Sequence, residues 1–332
     1  MLFHTIIIDT NVLYNKDFIK DKKLAIPSNL KWLISETNSA TLREKVLIEV
    51  PEIVMLEYKR QVNEELSEKT KLFDSLISIG GIPGYEIKKI DQEKSRKDQI
   101  EGLFEEFLEL EEVKERLNFN VKLDYGCLSS IVKRSINKSA PFEGKNKESD
   151  KGFKDALLWE SILSYKKDRA DRKIYLYSKD KRFEDELKQE YHEIFSEDIE
   201  LLRSEEEVLE IIKEISEIHD ENIDKEIMKI KSIRKYISSN LDLFKEMYRK
   251  SVEVDNWLGK GTKVVNVSNI TLDNILPAQY SSFTIQGDYY VRIKIESEIK
   301  DEFIEQSYNP DIHFEVRLQE DGKYNFEIVG IA

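Results

Sequence analysis

The first 215 residues alternate short apolar runs with helical stretches, and this alternation constrains the fold more than any other feature. Residues 3–8, 46–50 and 173–178 are rich in β-branched, aliphatic and aromatic side chains. Such runs are typical of strands that are buried on both faces. Because strands that alternate with helices pair in parallel, we predict an α/β fold here, with a parallel sheet flanked by helices.

The helices of this region are predicted from apolar residues spaced three and four apart. A helix around Leu30 is predicted to have Ser28 as its N-cap. A long helix should follow Pro51 and reach about residue 78, and the stretch after Gly152 reads as another helix. Charged helical sequence at about 85–140, which includes one continuous helix over 91–118, predicts a helical insertion. Two later helices are predicted over 181–191 and, capped by Ser204 with Glu207, up to about 218.

The pattern changes beyond about residue 220. A helical stretch over roughly 223–255 is followed by segments with the period-two alternation of strands. These segments are residues 264–270, 283–297, 312–319 and 324–331. Asp321-Gly322 is a typical hairpin turn between the last two. We therefore predict two domains, residues 1–218 and 219–332, the second with a leading helix and an antiparallel β-rich sheet.

The chain is acidic, with 66 acidic and 52 basic residues and a net charge of −14. This balance argues against a protein that coats DNA or RNA, because such affinity comes mostly from neutralised phosphates. From Ser130 to Lys154, however, seven basic and three acidic residues give a local net charge of +4. The strip fits an enzyme that contacts nucleic acid at one place, and it equally fits a solvated loop with chance lysines.

Cysteine usage and hydropathy bear on the compartment. A single cysteine, Cys127, excludes an internal disulfide and fits a reducing cytoplasm. The start of the sequence lacks the basic front of a signal peptide, and no run approaches the roughly 18 apolar residues of a membrane span. We therefore expect a cytoplasmic protein without a membrane segment. The four histidines are far apart and no Cys/His cluster has zinc spacing.

Four acidic residues are candidates for a metal site. Asp9 and Asp180 follow predicted strands, whose carboxyl ends meet at one edge of a parallel sheet. Glu57 lies in an apolar helical turn, and Asp155 lies in the first turn of its helix. Carboxylates are the hard ligands that divalent cations prefer. Their combination predicts a divalent-cation site, with Asp150 as a fifth candidate ligand.

Each of these acids, taken singly, also has a purely structural explanation. Asp9 and Asp180 are typical of Asx-turns and helix N-caps. Asp155 is favoured in a first turn by the helix dipole. Glu57 can form an ion pair with Lys59, Arg60 or a distant base. The prediction of a metal site therefore depends on all four residues occurring together on one α/β sheet.

Four short motifs resemble, in order, the acidic motifs of the PIN-domain superfamily. Pro51 and Glu57 match the proline and glutamate of the second motif, and Ser178, Asp180 and Phe183 match the serine, aspartate and aromatic residue of the last. The resemblance covers about residues 1–200. The four segments are IIIDTNVL, VPEIVMLEYK, GFKDALLWESIL and YLYSKDKRF.

This resemblance implies a PIN fold, Mg²⁺ or Mn²⁺ as cofactor, and endoribonuclease activity, with RNA favoured over DNA. The implied catalytic and metal-binding residues are Asp9, Glu57, Asp155 and Asp180. Asn11 and Ser178 are expected to orient a carboxylate or water. Lys151 and Lys154 are expected to bind the nucleic-acid backbone. The chain is longer than small PIN toxins, and such extended forms resemble stand-alone or defence-associated nucleases.

Other functions stay open at this stage. A catalytically inactive PIN-like scaffold or partner-binding module would keep the same fold, and the acidic surface suits it. A further alternative is a regulatory β-rich domain that senses a ligand or partner and gates the nuclease. A homo-oligomer or a regulatory protein partner also stays open. A haloacid-dehalogenase phosphohydrolase needs an aspartate where Asn11 stands. A P-loop NTPase needs a GxxxxGK[ST] motif, and the sequence has none.

Overall fold

A computed structural model describes most of the chain in two compact units, Met1–Arg203 and Ser204–Ala332. This division precedes the helix at 205–216, and the domain boundary predicted at residue 218 stays a prediction. No helix in the described residues is both long and apolar enough to cross a membrane. The described residues are 3–13, 19–20, 23–78, 96–142, 152–180, 183, 185–216, 221–253, 261–281, 285–300, 305–319 and 323–331.

The first unit is built on a five-stranded sheet in the order β5-β4-β1-β6-β7, and every pair in it is parallel. The central strand β1 places Ile6 opposite Ile48 on one side and Tyr175 on the other, and all three are fully buried. The strands of this unit are β1 (Phe3–Ile8), β2 (Ile19–Lys20), β3 (Lys23–Leu24), β4 (Val46–Glu49), β5 (Leu117–Asn118), β6 (Arg172–Tyr177) and β7 (Glu200–Leu202).

Helices flank this sheet, which confirms the predicted parallel α/β fold of the first unit. Helix α4 follows Pro51 directly and buries Tyr58 and Val62 along one side. The helices are α1 (Thr10–Leu13), α2 (Ser28–Glu36), α3 (Ala40–Lys45), α4 (Glu52–Ser78), α5 (Arg96–Leu108), α6 (Glu111–Arg116), α7 (Leu128–Asn137), α8 (Phe153–Asp168) and α9 (Asp185–Phe195). A 3-10 helix, Tyr125–Cys127, precedes α7.

Three details of the sequence prediction were wrong. Ser28 is not an N-cap, because α2 begins at Ser28 and the cap position is Pro27, which has no side-chain capping bond. The stretch over 91–118 is not one helix: α5 ends at Leu108, and β5 adds an edge strand to β4 inside the predicted helical insertion. Leu117 is buried there opposite Ile48, so tertiary pairing overrides the helical pattern. The helix predicted over 181–191 is not helical at Phe183, and its described part, α9, begins at Asp185; residues 181, 182 and 184 lie outside the described residues.

The second unit contains an antiparallel sheet in the order β10-β9-β11-β12, with β8 also paired to β9. This confirms the predicted C-terminal antiparallel sheet. Asp321-Gly322, the predicted hairpin turn between β11 and β12, lies outside the described residues. The elements are α10 (Glu205–Ser216), α11 (Glu221–Ser239), α12 (Leu241–Glu253), β8 (Lys263–Pro277), the 3-10 helix Ala278–Tyr280, β9 (Tyr289–Lys300), β10 (Glu305–Tyr308), β11 (Asp311–Leu318) and β12 (Tyr324–Ile331).

Aromatic side chains join the helices of the second unit to its sheet. Phe244 of α12 makes edge-to-face contacts with Phe314 of β11 and Phe326 of β12, at centroid distances of 5.4 and 5.0 Å.

At the start of α10, the Glu207 backbone N–H donates to the Ser204 hydroxyl at 3.4 Å. Ser204 is therefore the N-cap that the sequence predicted.

Candidate functional site

The carboxyl ends of β1 and β6 meet at one edge of the parallel sheet. Ile8 pairs with Tyr177, and the backbone N–H of Asp9 donates to the carbonyl of Tyr177 at 3.1 Å. Asp9 and Ser178 therefore directly follow two adjacent strands and lie at the same edge of the sheet. This is the edge at which open α/β sheets bind their ligands.

Three donors hold the carboxylate of Asp9, which is only 6% exposed. Its Oδ1 accepts the backbone N–H of Thr10 at 2.6 Å, and its Oδ2 accepts the Asn11 amide at 2.7 Å. The Ser178 hydroxyl donates to the same Oδ2 at 2.6 Å. These bonds fix the orientation of the carboxylate.

Ser178 and Asn11 also order the chain that carries Asp180. The backbone N–H of Asp180 donates to the Ser178 hydroxyl at 3.1 Å, and that of Lys179 donates to the Asn11 side-chain oxygen at 3.1 Å. Arg203 adds a bond from its guanidinium to the Ser178 carbonyl at 3.0 Å, and it also binds the carbonyls of Asp180 and Phe183. Bonds to Asn11 and Arg203 therefore fix the position of the turn after β6.

Glu57 reaches the same region from α4. Its Oε2 accepts the Thr10 hydroxyl at 3.0 Å, and its Oε1 pairs with Lys154 of α8. Arg60, one turn further along α4, lies 3.9 Å from Oε1. Thr10 therefore joins the two acids, since its backbone N–H binds Asp9 and its hydroxyl binds Glu57.

Asp155 approaches the site from α8. It is half-buried in the first turn of α8, directly after Lys154, which contacts Glu57. The structure therefore connects Asp9, Asn11, Ser178 and the backbone of Asp180 in one network, which Thr10 extends to Glu57. Asp150 and Lys151 lie outside the described residues.

A further acid at this edge, Glu49, forms hydrogen bonds with other segments of the first unit. It ends β4, is completely buried, and accepts bonds from the backbone and side chain of Asn120 at 2.9 and 3.1 Å. The Tyr165 hydroxyl donates to it at 3.1 Å. Burial, together with the charge of Glu49, raises the pKa of Tyr165 to about 12, so this hydroxyl remains a donor. Glu49 is therefore best explained as a structural residue.

The donor chemistry of the site fits a divalent cation, but its geometry is not that of a finished metal centre. Carboxylate oxygens from four chain segments are the hard ligands that Mg²⁺ and Mn²⁺ prefer. Across the residues that the structure describes, no group of three or more acidic, histidine or cysteine side chains is arranged to hold a metal ion. Instead, protein donors hold the oxygens of Asp9 and Glu57. The four-carboxylate site therefore stays a prediction.

Two residues that the sequence analysis did not name belong to this network. Thr10 lies between Asp9 and Asn11. The sequence signal for its role was a hydroxyl side chain within a run of polar residues that follows a predicted strand. Arg203 follows β7, far along the chain from the residues whose carbonyls it binds. No local pattern distinguishes Arg203 from other arginines, so only the fold reveals its position.

Comparison with known proteins gave one match. A protein-family model described as PIN domain matches residues 6–183, which is 178 of the 332 residues. The matched range contains the four predicted carboxylates as well as Asn11 and Ser178. No curated protein and no solved structure matches the chain.

Proposed function

The chain belongs to the PIN-domain family, and we propose that its first unit is a metal-dependent endonuclease that hydrolyses phosphodiester bonds in RNA. PIN domains are generally nucleases. The observation that carries the proposal is the bonded network between Asp9, at the end of β1, and Ser178, at the end of β6, within the matched range. This network holds the carboxylate of Asp9 at the ligand-binding edge of the sheet.

In this proposal Asp9, Asp155 and Asp180 bind the principal cation, and Glu57 completes the site. When bound by these carboxylates, Mg²⁺ or Mn²⁺ would supply Lewis-acid chemistry for the hydrolysis of a phosphodiester bond. Asn11 and Ser178 orient the carboxylate of Asp9, which supports their roles as positioning residues.

The cationic side chains of the site have two proposed roles, which are to pair with a carboxylate and to contact the substrate. The ammonium of Lys154 offsets the charge of Glu57. Because Lys154 is half-exposed, its ammonium is also accessible to a phosphate of the substrate. We assign Lys154 and Lys151 to the nucleic-acid backbone.

One observation favours a second candidate, a catalytically inactive PIN-like module that binds a partner. In the part of the chain that the structure describes, no three candidate ligands form a group ready for a metal ion. Protein donors already hold Asp9 and Glu57. A scaffold would need these acids only for the bonds that close the sheet edge.

Cleavage assays separate these two candidates. Labelled single-stranded RNA, single-stranded DNA and duplex DNA are incubated with Mn²⁺ or with EDTA. We expect RNA to be cleaved fastest, only with Mn²⁺, and about 100-fold or more slowly by Asp155→Asn, as is usual for loss of an essential site group. The matched control is Asp168→Asn, an exposed acid at the opposite end of α8.

Two results would count against the nuclease. Cleavage that persists in Asp155→Asn would point to another site or to a contaminant. No cleavage of any of the three substrates, by a protein that is folded and saturated with Mn²⁺, would favour the scaffold.

A further inference from the structure

Arg203 is the last residue of the first unit, and its side chain binds the turn that carries Asp180. The guanidinium donates to the carbonyl of Ser178 at 3.0 Å and also to the carbonyls of Asp180 and Phe183. The backbone N–H of Ser178 in turn donates to the carbonyl of Leu202 at 3.0 Å. Two consecutive residues, Leu202 and Arg203, therefore hold the backbone on both sides of Asp180.

The family match does not account for this contact. The range matched by the PIN-domain model ends at residue 183, and Arg203 lies beyond it, whereas the three carbonyls belong to matched residues. An arginine suits the task because its planar guanidinium has five donors in a fixed fork and no acceptor. One side chain from outside the matched range thus binds a backbone segment inside it.

The two units are joined at Arg203 without a linker. β7 ends at Leu202, and Ser204 already caps α10: its hydroxyl accepts the N–H of Glu207 at 3.4 Å and its carbonyl that of Val208 at 3.2 Å. Boundaries between compact units usually fall in flexible segments, which can absorb small movements. Here Arg203 alone separates the strand from the capped helix, so a displacement of the start of α10 must also displace Arg203.

The start of α10 is held in turn by α11 of the second unit. Arg234 donates to Glu206 at 2.5 and 2.9 Å and to Glu205 at 3.3 Å. Both acids are buried. Because removal of one partner from a buried ion pair is strongly destabilising, this pairing holds the first turn of α10 firmly. The position of the residues directly after Ser204 therefore depends on Arg234.

We propose that Arg203 is a positioning residue through which the start of the second unit controls the turn that carries Asp180. While the ion pair between Glu206 and Arg234 is intact, α10 keeps Arg203 on the three carbonyls, and Asp180 stays at the proposed cation site. When the start of α10 loosens, these bonds weaken and Asp180 loses its position. This inference rests on the proposed function and names a regulation of the same site.

Hydrogen exchange in the metal-free protein tests the coupling without a cleavage assay. The amides of Ser178, Lys179 and Asp180 are all hydrogen-bonded, so a peptide that covers residues 176–183 reports on the turn. In Arg203→Met this peptide should exchange about tenfold faster, because bonds from a charged donor are lost. In Arg234→Met it should exchange roughly fivefold faster, at the low end of usual couplings between sites.

The controls separate coupling from a merely structural role of Arg203. In the double variant Arg203→Met/Arg234→Met, the second substitution should no longer change exchange in the turn. Arg169→Met is the matched control, since Arg169 is an exposed arginine that donates to the carbonyl of Asp168 at 3.3 Å. If Arg203→Met does not fold, Arg203→Lys, which keeps the charge without the planar fork, replaces it in each measurement.

A second measurement uses the cation itself. Coupling between two sites is reciprocal, so Mn²⁺ should slow exchange in residues 205–210 of wild type but not of Arg203→Met. Faster exchange of α10 in Arg234→Met with an unchanged turn would overturn the inference, even if the protein binds Mn²⁺ and cleaves RNA. Bound Mn²⁺ without an effect on α10 would also overturn it. Coupled exchange in a protein that never binds Mn²⁺ or cleaves RNA would sustain the link through Arg203 and reject the nuclease.

Discussion

The hydroxyl of Ser178 donates a 2.6 Å hydrogen bond to Oδ2 of Asp9, and so ties together the ends of two adjacent parallel strands. The same hydroxyl accepts the backbone N–H of Asp180. One small side chain thus orients one predicted metal ligand and positions the backbone of another. Replacing a residue that supports a metal ligand in this way typically lowers metal affinity by roughly 10- to 100-fold.

Ser178→Ala should therefore weaken Mn²⁺ binding by roughly tenfold or more. The free energy of unfolding should fall by about 1–2 kcal/mol, because buried donors lose an acceptor. Calorimetric titration and urea unfolding give the two quantities. Ser161→Ala is the matched control: Ser161 is also a buried serine, but its hydroxyl binds only within α8, to the carbonyl of Leu157. Equal Mn²⁺ affinity in Ser178→Ala and wild type would contradict the role given to Ser178.

Lys154→Met should raise the affinity for Mn²⁺ while it weakens RNA binding. The ammonium of Lys154 competes with a cation for Glu57, and a half-exposed pair of this kind is worth about 1 kcal/mol, or roughly fivefold in affinity. Lys167→Met, in the exposed last turn of α8, should change neither quantity. Weaker Mn²⁺ binding by Lys154→Met would show that the lysine supports the cation rather than competing with it.

Gly152→Ala should destabilise the first unit. Gly152 has φ = 110°, a conformation that L side chains rarely adopt, and its Cβ would approach Pro141 closely. The cost is about 1–3 kcal/mol from the backbone alone. Gly102→Ala offers a contrast, since nothing lies within 4 Å of a Cβ there and alanine is favoured in a helix by about 1 kcal/mol. Thermal unfolding should move the two variants in opposite directions, and a shift of the same sign would refute this account of Gly152.

The second unit should contain an acid-sensitive ion pair at the start of α10. Burial by itself would raise the pKa of Glu206, but the hydrogen bonds and charge of Arg234 outweigh this effect and lower it. The two Arg234 bonds to Glu206 measure 2.5 and 2.9 Å. A lowered folded-state pKa contributes stability that is present above the unfolded value of about 4.3 and is lost as the pH falls through the folded value.

Arg234→Met should therefore cost about 2 kcal/mol at pH 7 and progressively less at acidic pH. Hydrogen exchange in peptides from α10 and α11 reports this stability locally. Lys235→Met, at an exposed position next to Arg234, is the control. A difference between variant and wild type that stays constant from pH 7 to below pH 4 would contradict the stabilisation of ionised Glu206 by Arg234.

The elements of the fold were largely predictable because their periodicity is local. The apolar run FHTIII became β1, and the helix after Pro51 ends near residue 78 as expected. Failures occurred where tertiary contacts decide the structure. Leu117 and Asn118 lie in a stretch with helical periodicity, yet pairing with β4 makes them a strand. A two-residue edge strand has no periodicity by which the sequence could reveal it.

The candidate site was predictable in part, for the same reason. Strand ends are visible in sequence, so Asp9 and Ser178 could be expected at one edge, where the structure bonds them. The pairing of Lys154 with Glu57 depends on how α8 lies against α4, which no spacing along the chain encodes. Arg203 was missed because its partners are backbone carbonyls, which carry no sequence signal.

Calorimetric titration of Mn²⁺ into metal-free protein tests most directly whether the carboxylates around Asp9 form a divalent-cation site. Wild type and the control Asp168→Asn should bind Mn²⁺ alike. Asp9→Asn should lose at least tenfold in affinity, since it removes a charged ligand while its amide can still bond to Ser178. Mn²⁺ binding by Asp9→Asn as tight as that of wild type, or no binding by wild type, would contradict the claim.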